Sequence, residues 1–70
     1  MPLSLAEIGV PYIIARIAGG EKERHFLEGL GLVPDAVVVV VSRFNYYILL
    51  NVKGSRIGIG EEFGRKIILK

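Results

Sequence analysis

The joint between a short helix and a valine-rich strand is the feature that most constrains the fold of this chain. A helical segment carrying Leu27 and Leu30 on one side is followed by Gly31, which can adopt the left-handed conformation that closes a helix C-terminus. Pro34 then prevents the helix from continuing. The run of valines at residues 37–41 favours a largely buried strand. The order predicted is helix, glycine stop, turn and central strand.

The size and composition of the chain limit what it can be. With 70 residues, 51% of them apolar, and a net charge of +2, it is expected to form a single domain over residues 1–70. Such a domain has either a dense core or apolar surface left for a partner. The absence of cysteine excludes disulfides and thiolate zinc sites. The modest charge disfavours nucleic acid, because phosphate neutralisation requires a dense basic face.

No apolar stretch is long enough to span a membrane. The longest, at residues 36–41, has six residues, whereas a spanning helix needs about 20. The first residues also lack the cationic segment and apolar stretch of a signal peptide. We therefore expect a cytoplasmic protein.

Five short strands and one helix can be placed along the chain. Apolar segments bounded by glycine, proline or turn residues predict strands at residues 12–17, 36–43, 46–52, 55–59 and 67–69. The helix begins at about Glu21, and a helical turn is expected at residues 60–65. Short strands with bare edges are best accommodated in a bent barrel. The predicted fold class is all-β with one short inserted helix, in a small five-stranded SH3-like barrel.

The first residues predict one additional helical turn. Ser4 and Glu7 have the spacing of a capping box, in which each side chain bonds a backbone amide of the other residue. Leu5 and Ile8 are expected to pack this turn against the core.

The outer face of the predicted helix carries the residues best suited to a metal. Glu21, His25 and Glu28 fall on the arc opposite Phe26, which is expected to face the core. Two carboxylates and an imidazole would suit iron(II) or zinc. Charged residues at this spacing are also common on exposed helices, so we predict a solvated face with no metal and no cofactor.

Catalysis and nucleotide binding find no support in the residue pattern. His25 has no serine or cysteine nearby in sequence, and the glycines around Gly58 do not have the dinucleotide-binding spacing. We therefore expect a protein that is not an enzyme. A small-barrel nucleic-acid binder is an alternative, because basic residues flank a cluster of aromatic residues in the sequence. The aromatic residues are Phe44, Tyr46 and Tyr47, and the basic residues are Arg43, Lys53, Arg56, Arg65 and Lys66.

Three segments resemble the ferrous iron transport protein A (FeoA) family. They are the L-x-x-L-G-L-V-P motif at residues 27–34, the valines at residues 37–39 and the V-K-G-S-R-I-G-I segment at residues 52–59. The resemblance covers nearly the whole chain. The chain departs from the family pattern in having Asp35 where glycine is usual and in having a short hairpin at residues 44–46.

The resemblance implies a small accessory or regulatory protein of ferrous iron uptake. Such a protein would bind the cytoplasmic part of a membrane ferrous iron permease that carries a GTPase domain. It would be peripheral to the membrane through this partner alone. Similar barrels occur at the C-terminus of metal-dependent repressors, so a stand-alone regulatory module related to those domains is an alternative.

Partner binding is expected at the helix stop. Because a small apolar domain has surface to spare, Leu32 and Val33 are expected to be exposed beside Leu30, and these three residues form the predicted contact. Leu32→Glu is accordingly expected to abolish capture of the permease without unfolding the domain. An uncovered barrel edge could also pair with a second copy and give a homodimer.

Overall fold

The computed structural model describes residues 1–70 and contains five strands, two α-helices and one 3₁₀ turn. The elements are a 3₁₀ turn at Leu3–Leu5, β1 at Pro11–Ile17, α1 at Glu21–Gly29, β2 at Val37–Phe44, β3 at Tyr47–Val52, β4 at Ser55–Gly60, α2 at Glu61–Gly64 and β5 at Ile67–Leu69. The five predicted strands are confirmed, with ends that differ by at most one residue. Neither helix has the length and apolar character required to cross a membrane.

The strands form one sheet in the order β4-β3-β2-β1-β5, with neighbouring strands antiparallel. The prediction that β2 is central is therefore confirmed. The N-terminus covers the outer edge of β5, because the amino group of Met1 donates to the Leu69 carbonyl at 2.9 Å and the Leu69 amide donates to the Met1 carbonyl at 2.6 Å. The outer edge of β4 has no neighbouring strand.

One face of β2 is buried and the other is only partly covered. Val38 and Val40 lie in the core, whereas Val37 is exposed and pairs with the exposed Ile13 of β1. The predicted burial of the strand therefore holds fully for one face alone, since the strand alternates in the manner of an antiparallel sheet. A register shift between Val40 and Ser42 interrupts the pairing with β3, and such a bulge bends the strand.

The core takes different residues from the N-terminal turn than the sequence predicts. Leu3 and Ala6 are buried there, while Leu5 and Ile8 are exposed. The expected packing of Leu5 and Ile8 is wrong: the 3₁₀ turn spans Leu3–Leu5, and it is Leu3 and Ala6, at the same spacing, that face the core. The complete core consists of Leu3, Ala6, Ile14, Leu27, Leu32, Ala36, Val38, Val40, Ile48, Leu50, Val52, Ile59, Ile67 and Leu69.

The hairpin between β3 and β4 has the turn that its sequence predicts. Lys53 and Gly54 form the two-residue connection, with φ of +51° and +77°. Two consecutive positive φ values are typical of a type I′ turn, which matches the twist of the flanking strands. This turn and the β2–β3 turn lie at opposite ends of β3, so the two hairpins present separate surfaces.

Candidate functional site

The helix stop is a Schellman motif. Gly31 has φ of +90° and follows the C-cap residue Leu30. The Gly31 amide donates to the Glu28 carbonyl at 2.9 Å, and the Leu32 amide donates to the Leu27 carbonyl at 3.0 Å. These two hydrogen bonds satisfy carbonyls that the end of the helix would otherwise leave free. The predicted glycine stop is therefore confirmed at Gly31.

The residues predicted to contact a partner at this stop are not all accessible. Leu32 is 0% exposed and belongs to the core, whereas Leu30 and Val33 are half-buried and pack against that core. The expectation that Leu32 is exposed is wrong. In a Schellman motif the residue after the left-handed glycine makes an apolar contact back to the last turn of the helix. Leu32 occupies that position relative to Leu27, so the sequence did contain a signal for its burial.

The charged residues on the outer face of α1 do not assemble a metal centre. His25 Nε2 lies 3.8 Å from Glu21 Oε1, and both side chains are exposed. Glu28 is exposed as well. No group of three or more His, Cys, Asp or Glu side chains is arranged to hold a metal ion. This face is open to solvent along its length.

Phe26 does not lie in the core as predicted but packs against α2. Its ring centroid lies 5.2 Å from that of Phe63, and Phe26 is 52% exposed. Together with Lys22 and Glu23, the two rings line a shallow groove of about 210 Å³. Lys66 Nζ lies 6.0 Å from the centroid of the Phe63 ring. The expectation that Phe26 faces the core is wrong, because its ring packs on the half-buried Phe63 and remains half-exposed at the surface.

Three exposed aromatic side chains cluster at the β2–β3 hairpin. We call Phe44, Tyr46 and Tyr47 the aromatic hairpin, and their exposed fractions are 58%, 80% and 47%. Phe44 and Tyr47 are cross-strand partners whose ring centroids lie 6.3 Å apart. The Glu61 amide donates to the Tyr46 carbonyl at 2.8 Å, which ties the turn to the start of α2. The aromatic hairpin is the largest group of adjacent exposed rings in the chain.

The side chain of Tyr47 extends across the neighbouring strand β4. Tyr47 pairs with Gly60, and Gly58 lies two residues earlier on the same face of β4. A Cβ atom at Gly58 would overlap the Tyr47 phenol, and one at Gly60 would lie 2.5 Å from Glu62 Oε1. The two glycines therefore leave room on one face for an aromatic ring and a carboxylate.

The basic residues are distributed over several surfaces. Arg43 Nη2 donates to the carbonyls of Ala6 at 2.5 Å and Ser4 at 3.1 Å, so its guanidinium lies against the N-terminal segment. Lys53 lies in the β3–β4 turn, and Lys66 lies beside Phe63. A single-strand nucleic-acid platform needs a continuous cationic groove next to exposed rings. Arg43, Lys53 and Lys66 do not form one around the aromatic hairpin.

Comparisons with known proteins give one family and one fold. The family model described as the FeoA domain matches residues 1–70, and no curated protein matches the chain. The crystal structure of an iron uptake regulatory protein (FeoA) is 30% identical with a TM-score of 0.93, over 100% of this chain and 95% of that chain. The solution structure of iron(II) transport protein A from Clostridium thermocellum is 26% identical with a TM-score of 0.87, over 100% of this chain and 44% of that chain.

A repressor shares the same fold. A manganese-dependent transcriptional repressor is 16% identical with a TM-score of 0.86, and the match covers 100% of this chain and 41% of that chain. At this identity the similarity concerns the fold alone. The chain has the SH3-like fold that FeoA proteins share with the C-terminal domains of such repressors, and the predicted fold class is confirmed.

Proposed function

The chain belongs to the FeoA domain family, a family of small accessory and regulatory domains associated with ferrous iron uptake, and from this premise we propose that it binds the cytoplasmic part of a membrane ferrous iron permease carrying a GTPase domain. The observation that carries the proposal is a filled core combined with uncovered aromatic side chains. Fourteen residues form the core, while Phe26, Phe44, Tyr46 and Tyr47 remain exposed. Exposed rings in groups are typical of surfaces that bind another protein.

The helix stop is one proposed contact. Leu30 and Val33 are half-buried and retain accessible apolar surface, and Leu32 supports them from within the core. Because Leu32 is inaccessible, its contribution to binding is to hold the backbone of the stop in place. Val33 is therefore a residue at which the contact can be tested, and because its side chain packs partly on the core, the fold of the variant is checked alongside binding.

In this proposal, the chain regulates the permease by changing which of its conformations is populated. A binding partner shifts such an equilibrium only by the difference between its affinities for the two conformations. A domain with no catalytic groups can regulate transport in this way, provided that the surface it contacts differs between the conformations.

The proposal is tested by capture from native membranes. A tagged form of the chain is incubated with detergent-solubilised membranes, and mass spectrometry identifies the proteins that are retained. The GTPase-bearing permease is expected in the wild-type eluate. Absence of the permease from that eluate, with the tagged chain folded by circular dichroism, would overturn the proposed function.

Two matched variants locate the contact. Val33→Glu is expected to lose the permease, whereas Val10→Glu, the same change at an exposed valine in the loop before β1, is expected to retain it. Both variants must keep the wild-type circular dichroism spectrum. Equal retention by both would show that the helix stop is not a contact, and would leave permease binding itself intact.

A second candidate function rests on the repressor match. The chain covers 41% of the manganese-dependent repressor, and this shared fold supports a stand-alone regulatory module related to the domains of such repressors. In the same capture experiment, this candidate predicts that a DNA-binding protein is recovered in place of the permease.

A further inference from the structure

We infer that the aromatic hairpin, together with Glu62, is a docking seat for the arginine and lysine side chains of the partner's cytoplasmic surface. This inference rests on the proposed function and specifies the chemistry that the chain recognises. The seat comprises the rings of Phe44, Tyr46 and Tyr47 and the carboxylate that follows β4.

The seat is held in place by the fold before any partner arrives. The phenol of Tyr47 lies over Gly58, its ring is paired with that of Phe44 at 6.3 Å, and the Glu61 amide holds the Tyr46 carbonyl at 2.8 Å. Aromatic side chains have only two side-chain torsions, so little further entropy is lost when they bind. The aromatic hairpin therefore has the character of a prepared binding surface.

The carboxylate of Glu62 places a negative charge at one side of the seat. It lies over Gly60, while the Tyr47 phenol lies over Gly58, and alternate residues of a strand share one face. The ring and the carboxylate consequently face the same side of β4. A guanidinium or ammonium group is attracted both to the face of an aromatic ring and to a carboxylate, which makes this pair complementary to arginine or lysine.

Glu62 forms no salt bridge with a basic residue of this chain, including Arg65 three residues later. Arg43 donates to backbone carbonyls of the N-terminal segment, at 2.5 Å to Ala6 and 3.1 Å to Ser4. Arg56 lies on the same face of β4 as Gly58 and Gly60, but it precedes Gly58 by two residues and is further from Glu62. A bound cation is thus expected at the Glu62 end, and Arg56 opposes binding at the other end.

The charge of the seat fits the surface of a membrane protein that faces the cytoplasm. Loops on that side carry an excess of lysine and arginine close to the ends of the membrane-spanning helices. A small domain with aromatic rings and a carboxylate on one face complements such a loop. Anionic lipid headgroups are a poorer fit, because Glu62 would repel them.

The inference is tested with the purified permease in phosphatidylcholine nanodiscs and the full chain in solution. Biolayer interferometry gives the Kd of the wild type and of single variants that keep the wild-type melting temperature. Tyr46→Ser is expected to weaken binding about tenfold, because it removes the most exposed aromatic ring of the hairpin. Glu62→Gln is expected to weaken it about threefold to tenfold. Glu28→Gln, a matched change on the outer face of α1, is expected to alter the Kd by less than about twofold.

The sign of the charge effect is tested with a second matched pair. Arg56→Gln is expected to leave the Kd unchanged or to lower it, since it removes a like charge from the same face of β4. If Arg56→Gln weakens binding and Glu62→Gln strengthens it, the ligand is acidic and the inference is wrong. Raising the salt concentration is expected to weaken binding by the wild type more than binding by Glu62→Gln.

The outcomes separate this inference from the proposed function. Wild-type binding that none of the hairpin variants changes would overturn the seat and leave permease binding standing. Absence of wild-type binding would overturn the proposed function, and the seat with it. Tyr46-dependent binding to phosphatidylserine vesicles without permease would identify a lipid surface as the occupant. Tyr46-dependent self-association in sedimentation runs would identify a second copy, and either result would overturn the inference.

Discussion

Arg43 is expected to act as a clasp on the N-terminal segment, although it is an exposed residue. Its Nη2 atom donates to the carbonyls of Ala6 at 2.5 Å, Ser4 at 3.1 Å and Leu3 at 3.4 Å. The segment it holds carries two core residues, Leu3 and Ala6. The informative change is Arg43→Met, because methionine keeps much of the aliphatic stem and removes the guanidinium.

The magnitude follows from the geometry. One guanidinium nitrogen has two hydrogens, so Arg43 Nη2 makes two good hydrogen bonds, and the contacts to Ala6 and Ser4 are the shortest. A hydrogen bond from a charged donor contributes about 1.5–3 kcal/mol when it is shielded from water, and less at an exposed position. We expect Arg43→Met to lower the free energy of unfolding by about 2 kcal/mol. For a domain of this size, that corresponds to a loss of about 8–16 °C in melting temperature.

The assay combines thermal unfolding with amide hydrogen exchange. The amides of Leu5 and Ala6 donate to the Pro2 and Leu3 carbonyls, each at 3.0 Å, and report whether the 3₁₀ turn stays closed. Both are expected to exchange faster in Arg43→Met, while amides in the middle of β3 change only through the global loss of stability. Arg56→Met serves as the control at another exposed arginine. A melting temperature for Arg43→Met equal to that of the control, with unchanged exchange at Ala6, would refute the clasp.

The buried helix stop, the glycine beside Tyr47 and the dispersed basic residues can each be tested as well. Leu32→Ala is expected to lose about 2–5 kcal/mol of unfolding free energy, because truncating a fully buried leucine leaves a cavity. The half-buried Leu30→Ala is expected to lose less, so equal urea midpoints for the two variants would contradict the placement of Leu32. Gly58→Ala is expected to displace the Tyr47 ring and to cost about 1–3 kcal/mol, and an NMR structure of the variant with the ring unmoved would contradict this. A labelled single-stranded oligonucleotide is expected not to bind at physiological salt, and a tight complex with steep salt dependence would show that a cationic surface had been overlooked.

The strand pattern and the turns could be predicted because local chemistry determines them. Gly31 occupies a left-handed position that few other residues tolerate, and Lys53 with Gly54 forms a turn whose two φ values are positive. The valines of β2 mark a strand whatever surrounds them. These features depend on backbone conformation over a few residues, so one sequence was sufficient to place them.

The burial of individual side chains could not be predicted as well, because it depends on the phase of each turn and on distant neighbours. Leu5 and Ile8 are three residues apart, as are Leu3 and Ala6, and the sequence does not say which pair faces inward. The core selects Leu3 and Ala6 because the segment packs beside β5 and is held by Arg43 from β2. Phe26 is similar, since its partner Phe63 lies in α2 and contact between them requires the completed fold.

The candidate site illustrates the same limit in a different way. Composition predicts that this small chain has apolar surface to spare, but not where that surface lies. At the helix stop the apolar residues serve the Schellman motif and the core, which leaves Leu32 inaccessible. At the β2–β3 hairpin every residue from 43 to 47 is exposed, so aromatic side chains there gain little burial from folding. Exposed rings also lower solubility, which makes burial against a partner the more direct explanation for them. The side chains that the fold does not need are therefore the ones at which binding should be tested first.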